Sequence, residues 1–454
     1  MPEAIDRVGL AAGLESAGIA WRELDDGERS DFAVDGVEPI ALCWPASADE
    51  AAKALALADR LGLAVAPRGA GTKTGIGNRP RRCDLVVSTE RLNQLVEYAP
   101  ANLTVTVEAG VSLADLQARL ATDGQQLALD PPYAAKATIG GILATNSSGP
   151  RRLGYGAARD LVIGTRAATT SGSVVRSGGR VVKNVAGYDL GKLYIGSLGT
   201  LVLLVEVGLK VMPIPAAQTT VVGRFTSLDR LADVSRHIAR SPLMPLALEV
   251  LNLAAASRVE APVPTERGSY LLVALGAAPG GGVRRQADEF ARRFADGGAA
   301  EVVRLGDDDG RAFWSRLSAG AECGDSHRSI QAKVAAPPGR LLDVWKILEG
   351  ERGELGDDPA IGGRAASGIF NVVWSLPKDN LKGSDASIAA TIQSIRRQLA
   401  GFGASMVIET CPLAVKQTLD VWGDVGASLA VMKRLKEVLD PHDCLNPGRF
   451  VGGI

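Results

Sequence analysis

Pro67-Arg68-Gly69-Ala70-Gly71-Thr72-Lys73 and Thr138-Ile139-Gly140-Gly141, the second running on to Ala144-Thr145-Asn146, are the two stretches that decide how this chain is read. Each is followed downstream by an apolar strand pattern, so each can present bare backbone N–H groups to an anion. A residue without Cβ lets phosphate oxygens approach the chain closely and permits positive φ. Two such loops in one domain point to a pyrophosphate. The spacing Gly69, Gly71, Gly75 is not G-x-G-x-x-G, and no G-x-x-x-x-G-K-[ST] occurs, which argues against a Rossmann dinucleotide site and a P-loop. Taken alone, either loop also reads as an ordinary turn.

Around the first loop the pattern alternates strand and helix. Ile40-Ala41-Leu42-Cys43 reads as a strand, a capping box from Ser47 to Glu50 opens a helix, and Leu63-Ala64-Val65-Ala66 completes a βαβ unit. Asp84 to Ser88 and Leu103 to Val107 read as further strands, and Ser112 caps an amphipathic helix through Leu113, Leu116 and Leu120. After the second loop come strands at Leu161 to Ile163, Val174-Val175, Val181-Val182 and Leu201 to Met212, until Pro213 and Pro215 mark a boundary.

Beyond Pro215 a repeat is legible. Val221 to Phe225, a helical face of Leu228, Leu231, Val234 and Ile238, Leu246 to Leu251, Tyr270 to Leu275, a second face of Val283, Ala287, Phe290 and Phe294, and Ala300 to Val303 make one βαββαβ set. Ser329 to Val334, a helix near 339–349, Ala360 to Arg364, Ile369 to Trp374, a helix near 386–399 and Ser405 to Ile408 make another. Two ferredoxin-like halves predict one continuous antiparallel sheet with helices on one face. Pro412 suits a helix first turn, Leu429, Met432, Leu435 and Leu439 form a stripe, and Asp440-Pro441 ends it. The fold class is therefore α+β. Its expected spans are an N-terminal helical segment 1–35, a cofactor domain 36–215, a cap 216–430 and a tail 431–454 that returns to the cofactor domain.

Composition narrows the function classes. The 454 residues, 46% of them hydrophobic, suffice for sizeable cores. Lys+Arg 50 against Asp+Glu 51 leaves a net charge of −1, which favours neither nucleic acid nor an anionic membrane. The basic run Arg79-Pro80-Arg81-Arg82 reads as solvated surface. The 53 glycines are about 12% of the chain against a roughly 7% norm, and they concentrate between 62 and 208. Cys43, Cys83, Cys323, Cys411 and Cys444 are scattered without C-x-x-C, so no disulfide framework, zinc site or iron–sulfur ligand set can be drawn, and a cytoplasmic setting is expected. The acidic N-terminus lacks signal-peptide character, and the run Leu201 to Met212, broken by Glu206 and Lys210, reads as a buried strand. Any membrane contact is expected to be peripheral and through a partner.

The loop Pro67 to Thr72, the run Thr138 to Asn146, Tyr155-Gly156, Gly187-Tyr188-Asp189-Leu190, Gly196-Ser197-Leu198-Gly199-Thr200 and the closing Asp440-Pro441 with Leu445-Asn446-Pro447-Gly448-Arg449 together resemble the FAD-linked oxidase superfamily typified by vanillyl-alcohol oxidase, from about residue 36 onward. Within it, Lys183 to Asp189, Val421-Trp422-Gly423 and Asn446 to Phe450 are similar to the FAD-binding E subunits of bacterial glycolate oxidase. The resemblance implies a two-subdomain FAD-binding domain with a cap over the flavin. It implies that Pro67, Arg68, Gly69, Ala70, Gly71 and Thr72, with Thr138, Ile139, Gly140 and Gly141, contact pyrophosphate and ribose. Ala144, Thr145 and Gly149 would line the flavin, and Leu204 and Val205 would offer backbone to it. Arg68 has an alternative reading as a surface arginine. Gly71-Thr72-Lys73 holds no histidine, so FAD is expected to be non-covalent.

The cap departs from the pattern. Relatives that oxidise 2-hydroxy acids on their own resemble one another in two cap histidines and a Glu-His pair that bind a metal beside the substrate. The corresponding stretches here are Gly368 to Trp374 and Val407 to Pro412, where Glu409 remains but the histidines do not. With only His237, His327 and His442 in the chain, no such metal site is expected. Hydride transfer from a hydroxy acid needs a proton acceptor and a cation for the carboxylate. His442, Asn446 and Arg449 are the catalytic candidates if the tail folds back on the flavin. Alternatively, His442 is an exposed helix-end residue and Asn446-Pro447-Gly448 a turn. Trp374 and Trp422 read as core. The resemblance thus implies an FAD-binding subunit acting on a small 2-hydroxy acid, with a second FAD subunit and an iron–sulfur subunit as partners. A self-sufficient oxidoreductase and a flavin-bound structural or relay subunit are the alternatives.

Overall fold

The computed structural model describes residues 5–179, 188–264, 266–279, 281–320, 328–350, 355–356, 358–376 and 385–454. The expected strand Val181-Val182, the motif residues Lys183 to Gly187, Cys323 and His327 lie outside them. A first sheet runs in the order Ala20–Glu23, Ala41–Trp44, Leu85–Ser88, Val65–Arg68, the last three parallel. The βαβ pair flanks Leu85–Ser88 rather than pairing directly. The intervening helix Ala48–Arg60 starts where Ser47 Oγ accepts the Glu50 N–H at 3.2 Å. The expected capping box is half formed, because the Glu50 carboxylate reaches past Ser47 to the Ala46 N–H at 2.8 Å. The chain's tail completes this sheet: Val65 N–H donates to Cys444 O and Asn446 N–H to Val65 O, both at 2.8 Å. An edge that would expose unpaired backbone groups is thereby covered.

A second, antiparallel sheet has the order Leu95–Ala99, Thr104–Glu108, Leu203–Lys210, Val162–Ala168, Val174–Gly178. The sequence reading missed its first strand, whose Leu95 and Val96 are exposed. Against this sheet packs the helix Leu113–Ala121, whose Leu113, Leu116 and Leu120 are all buried. The second glycine loop proves to be a helix opening rather than a loop leading to a strand. Thr138 is the N-cap of Ile139–Ala144, its Oγ1 accepting the Gly141 N–H at 3.2 Å.

From Gln218 onward an eight-stranded sheet dominates, in the order Glu301–Leu305, Gln218–Phe225, Tyr270–Ala277, Ala247–Asn252, Ala360–Arg364, Ile369–Ser375, Ser329–Ala335, Ser405–Thr410. Each half repeats the ferredoxin-like order, and the two join where Glu249, Val250 and Leu251 pair antiparallel with Arg364, Gly363 and Gly362. One face packs on the four long helices Leu228–Ala239, Gly282–Asp296, Leu341–Gly350 and Asp385–Ala400 around Phe225, Phe290, Trp345 and Trp374. Helices also cover part of the other face, contrary to the one-sided expectation: Leu253–Arg258 and Asp307–Ala319 bury Phe313 and Trp314 against Val222, Leu251 and Leu271. They cover the first half of the sheet and reach Ala360 and Val373 at the start of the second. The second half, with Arg364, Asn371 and Lys333, turns this face toward the cofactor region.

The stripe Leu429, Met432, Leu435, Leu439 lies on the helix Ser428–Leu439, half-buried, while Val431 and Val438 on the same helix are exposed. Its buried residue is Lys436, whose Nζ donates to Asp440 Oδ2 at 2.5 Å and to Thr200 O and Leu445 O at 2.9 Å. This ammonium pins the tail beside the Gly196–Thr200 turn.

Candidate functional site

The two glycine stretches meet. A Cβ on Gly69 would stand 2.2 Å from Thr138 Oγ1, and one on Gly140 would stand 2.8 Å from the Ala109 Cβ, so glycine is required for the loops to close on each other. Pro67, Arg68, Gly69, Ala70, Gly71 and Thr72 line a cleft of about 590 Å³ with Thr138, Gly141, Ala144 and Thr145. It continues past Gly140, Leu198 and Leu204 into a second hollow of about 480 Å³. A channel of this length takes an extended ligand rather than a single ion.

Two of the tail candidates close one wall of the cleft, which Asn446 and Arg449 line. Asn446 Nδ2 donates to Leu198 O at 2.7 Å, leaving its buried Oδ1 without a partner. Arg449 Nη2 donates to Thr74 O at 2.5 Å and to Ile76 O, leaving Nε without one. Burial lowers the Arg449 pKa, with Asp35 opposing the shift. Buried polar atoms of this kind call for a ligand. The first glycine loop and these orphaned atoms fit a pyrophosphate-bearing cofactor, whereas the N–H groups of Ile139, Gly140 and Gly141 already donate to Val111 O, Ala109 O and Thr138 Oγ1. Arg68 is half-buried beside Phe32, its guanidinium carbon 5.0 Å from the ring centroid, and burial lowers its pKa.

His442 and Ile139 lie away from the cleft, while Val205 and Gly149 have further neighbours of their own. His442 stays outside the cleft: its ring is 68% exposed and Nδ1 lies 3.0 Å from the Asp59 carboxylate, because the turn after Asp440 carries it to the helix Ala48–Arg60. Ile139 points into the core, its N–H donating to Val111 O at 2.9 Å, since residue 139 occupies the apolar side of the new helix. The Val205 carbonyl is already taken by the Ala109 N–H at 2.9 Å. Gly149 lines a different cavity, where a Cβ would stand 1.9 Å from Asp130 O. The arginines of the basic run 79–82 are exposed, as expected, and also partnered: Arg79 Nε donates to Asp35 O, Arg81 pairs with Asp443, and Arg82 pairs with Asp84.

That other cavity, of about 580 Å³, lies between Gly149-Pro150 and the cap sheet. The sequence reading missed its two charged residues, Arg364 and Glu249, which face each other across adjacent strands. Arg364 Nη2 donates to Ser148 O at 2.7 Å, while Nε stands 3.9 Å from Glu249 Oε1, and neither of those two atoms has a hydrogen-bond partner. Burial pushes the Glu249 carboxyl up to about 8, with Arg364 pulling it down and Asp130 pushing it further up. Asp130 is itself raised to about 6 by burial, opposed by the Arg151 and Gly149 amides. Beyond them on the same face, burial lowers the Lys333 pKa while Glu409 counters it. A lone acid in the apolar run Leu246 to Leu251, and an arginine ending Ala360–Arg364, were the available signals.

Among the described residues, Asp59, Asp440 and Cys444 bring potential ligand atoms within 4.8 Å of one another, on the far side of the tail. Lys436 Nζ already pairs with Asp440 there, and burial raises the Cys444 thiol pKa, so the group reads as a structural ion pair.

The geometry matches known families. Residues 39–178 match the FAD binding domain, and residues 214–395 and 423–450 match the C-terminal domain of FAD linked oxidases. The chain belongs to the FAD linked oxidases, and its cofactor is FAD. Glycolate oxidase subunit GlcD of Bacillus subtilis is 28% identical over 422 residues, 91% of this chain and 89% of that protein. Glycolate oxidase subunit GlcE of Escherichia coli is 37% identical over 197 residues, but these are 43% of this chain and 54% of that protein. The solved structure of p-cresol methylhydroxylase with substrate bound shares the fold, with a TM-score of 0.75 at 13% identity over 99% of this chain and 98% of that one. Among the described residues no helix is long and apolar enough to cross a membrane.

Proposed function

We propose that this FAD-linked oxidoreductase oxidises a small 2-hydroxy acid, serving as an FAD-binding subunit of a glycolate-oxidase-like complex with a second FAD subunit and an iron–sulfur subunit. Bound FAD supplies the two-electron acceptor. On this reading Gly69, Ala70, Gly71, Gly140, Gly141 and Thr138 hold its pyrophosphate, without a covalent bond because no histidine stands in the first loop. Asn446 and Arg449 hold the cofactor rather than the substrate, since both line the same cleft and each keeps a buried polar atom unpartnered. The substrate carboxylate falls to the cap.

The observation that carries the proposal is the bond from Arg364 of the cap to Ser148 O, four residues beyond the helix Ile139–Ala144 that opens the glycine cleft. It fixes a buried cation against the cofactor segment. Anaerobic mixing of the purified FAD-loaded chain with glycolate or D-lactate tests it: bleaching of the flavin absorbance is expected, and full-length flavoprotein that no 2-hydroxy acid reduces, alone or with its co-purified partners, contradicts it. A second reading, a self-sufficient enzyme, is favoured by the cavity already built at Arg364 and Glu249. Fast reduction of the lone chain supports that reading, while reduction only beside a cysteine-rich iron–sulfur partner supports the complex. Any association with the inner membrane would then come through such partners.

A further inference from the structure

We infer that Lys73 is the cation that meets the isoalloxazine ring of FAD, where it offsets the negative charge the ring carries once reduced. Among the described residues that line the glycine cleft, Arg68, Lys73 and Arg449 are charged and none is acidic. The three are placed differently. Arg68 lies near the start of the first loop, beside Phe32. Arg449 is committed to Thr74 O and Ile76 O. Lys73, at the end of that loop, reaches across the cleft, and its Nζ donates to Ser147 Oγ.

Ser147 follows the helix Ile139–Ala144 and belongs to a short hydroxyl relay. Its Oγ lies 2.9 Å from Thr145 Oγ1, which donates to Gly141 O at 2.8 Å. With the Thr145 proton used there, Ser147 donates to Thr145 and accepts from the amine, so Lys73 is fixed against the cleft wall that Thr145 forms. The next residue carries the cap: Ser148 O accepts from Arg364 Nη2 at 2.7 Å, and Gly149 and Pro150 open onto the cap cavity. Arg152 and Arg364, which donate to Ser148, are not among the residues that line the cleft. Lys73 therefore stands where the cofactor cleft gives way to the cap. An extended FAD with its pyrophosphate at the first glycine loop turns its ring to the substrate side, which is the cap on the reading above, and the placement rests on that reading. Two electrons and one proton leave the ring with one negative charge, along the edge of N1 and the C2 carbonyl. A fixed ammonium beside that edge stabilises it and raises the potential.

The two-electron potential of the FAD-loaded full-length protein, read by equilibration with a redox dye, tests this without any substrate. Lys73→Gln keeps a donor for Ser147 and removes only the charge. Its flavin content should match wild type, while the equilibrium with the dye should shift roughly tenfold against reduced flavin, equivalent to a potential lower by about 30 mV. Lys73→Arg should restore most of that shift. A wild-type potential in Lys73→Gln overturns the inference. So does loss of flavin with an unchanged potential in the holoprotein that remains, which would put the ammonium at the pyrophosphate. If Lys73→Gln does not fold, Ser147→Ala, which releases the amine from its anchor, should shift the same equilibrium a few-fold in the same direction, and no shift there overturns the inference. Failure of the underlying reading is distinct: no 2-hydroxy acid would bleach the flavin, while the potential would still follow the charge at Lys73.

Discussion

The cofactor half and the cap of this molecule solve the same problem, holding a negative group, with different materials. Around the glycine cleft the site is shaped by backbone: the first glycine loop closes on the helix start at Thr138, and two tail side chains add one orphaned atom each. Such a site tolerates almost no substitution, because a Cβ at Gly69 would collide with Thr138. In the cap the site is side chain on a regular sheet, so residues at register positions can be exchanged without disturbing the strands. Where relatives resemble one another in metal-binding histidines, this cap offers Arg364 beside Glu249, and Lys333 beside Glu409. Fixed cations stand on the face where the resemblance expects a bound ion. The contrast teaches that one half retains its ligand by shape and the other by charge.

The sharpest way to break the comparison is Gly69→Val, which should abolish flavin retention, read from the absorbance of the purified protein, while circular dichroism stays native. Next, Lys436→Met leaves the fully buried Asp440 carboxylate without its cation, and should cost about 3–5 kcal/mol in urea unfolding. Arg364→Gln should keep full flavin content but weaken 2-hydroxy-acid binding by about 2–5 kcal/mol. If it instead loses flavin, the two halves are not separable.

Glu249 gives a pH signature. Its folded pKa is raised from 4.5 to about 8, so its contribution to stability is full below the unfolded value and is lost as pH rises through about 8. Arg364 opposes that shift and Asp130 adds to it. Glu249→Gln should flatten this slope and exceed wild type above pH 8 by a few kcal/mol, measured by thermal and urea unfolding across pH. The smallest effect is Thr138→Ala, which removes one N-cap and should cost about 1 kcal/mol with a modest drop in FAD affinity.

Much of the fold was legible because its periodicities are strong. The cap's two βαββαβ sets repeat, and faces such as Phe290–Phe294 and Leu231–Ile238 are buried as their helical spacing implies. Less visible were the strand Leu95–Ala99, whose Leu95 and Val96 stay exposed, and the helices Leu253–Arg258 and Asp307–Ala319 on the second face of the sheet. The glycine stretches pointed to the cleft, but not that Thr138 starts a helix and turns Ile139 inward. Asn446 and Arg449 reach the cleft as the tail motif suggested, whereas the turn after Asp440 takes His442 to Asp59. Arg364 and Glu249 escaped because their meaning depends on a strand pairing more than 100 residues apart in sequence, which no local pattern encodes.

The account rests most directly on one measurement: the visible spectrum of the purified full-length chain before and after acid precipitation. One FAD per chain, released entirely into the supernatant, is the predicted result. A chain that carries no flavin even after FAD supplementation, or whose flavin stays with the precipitate, would contradict it.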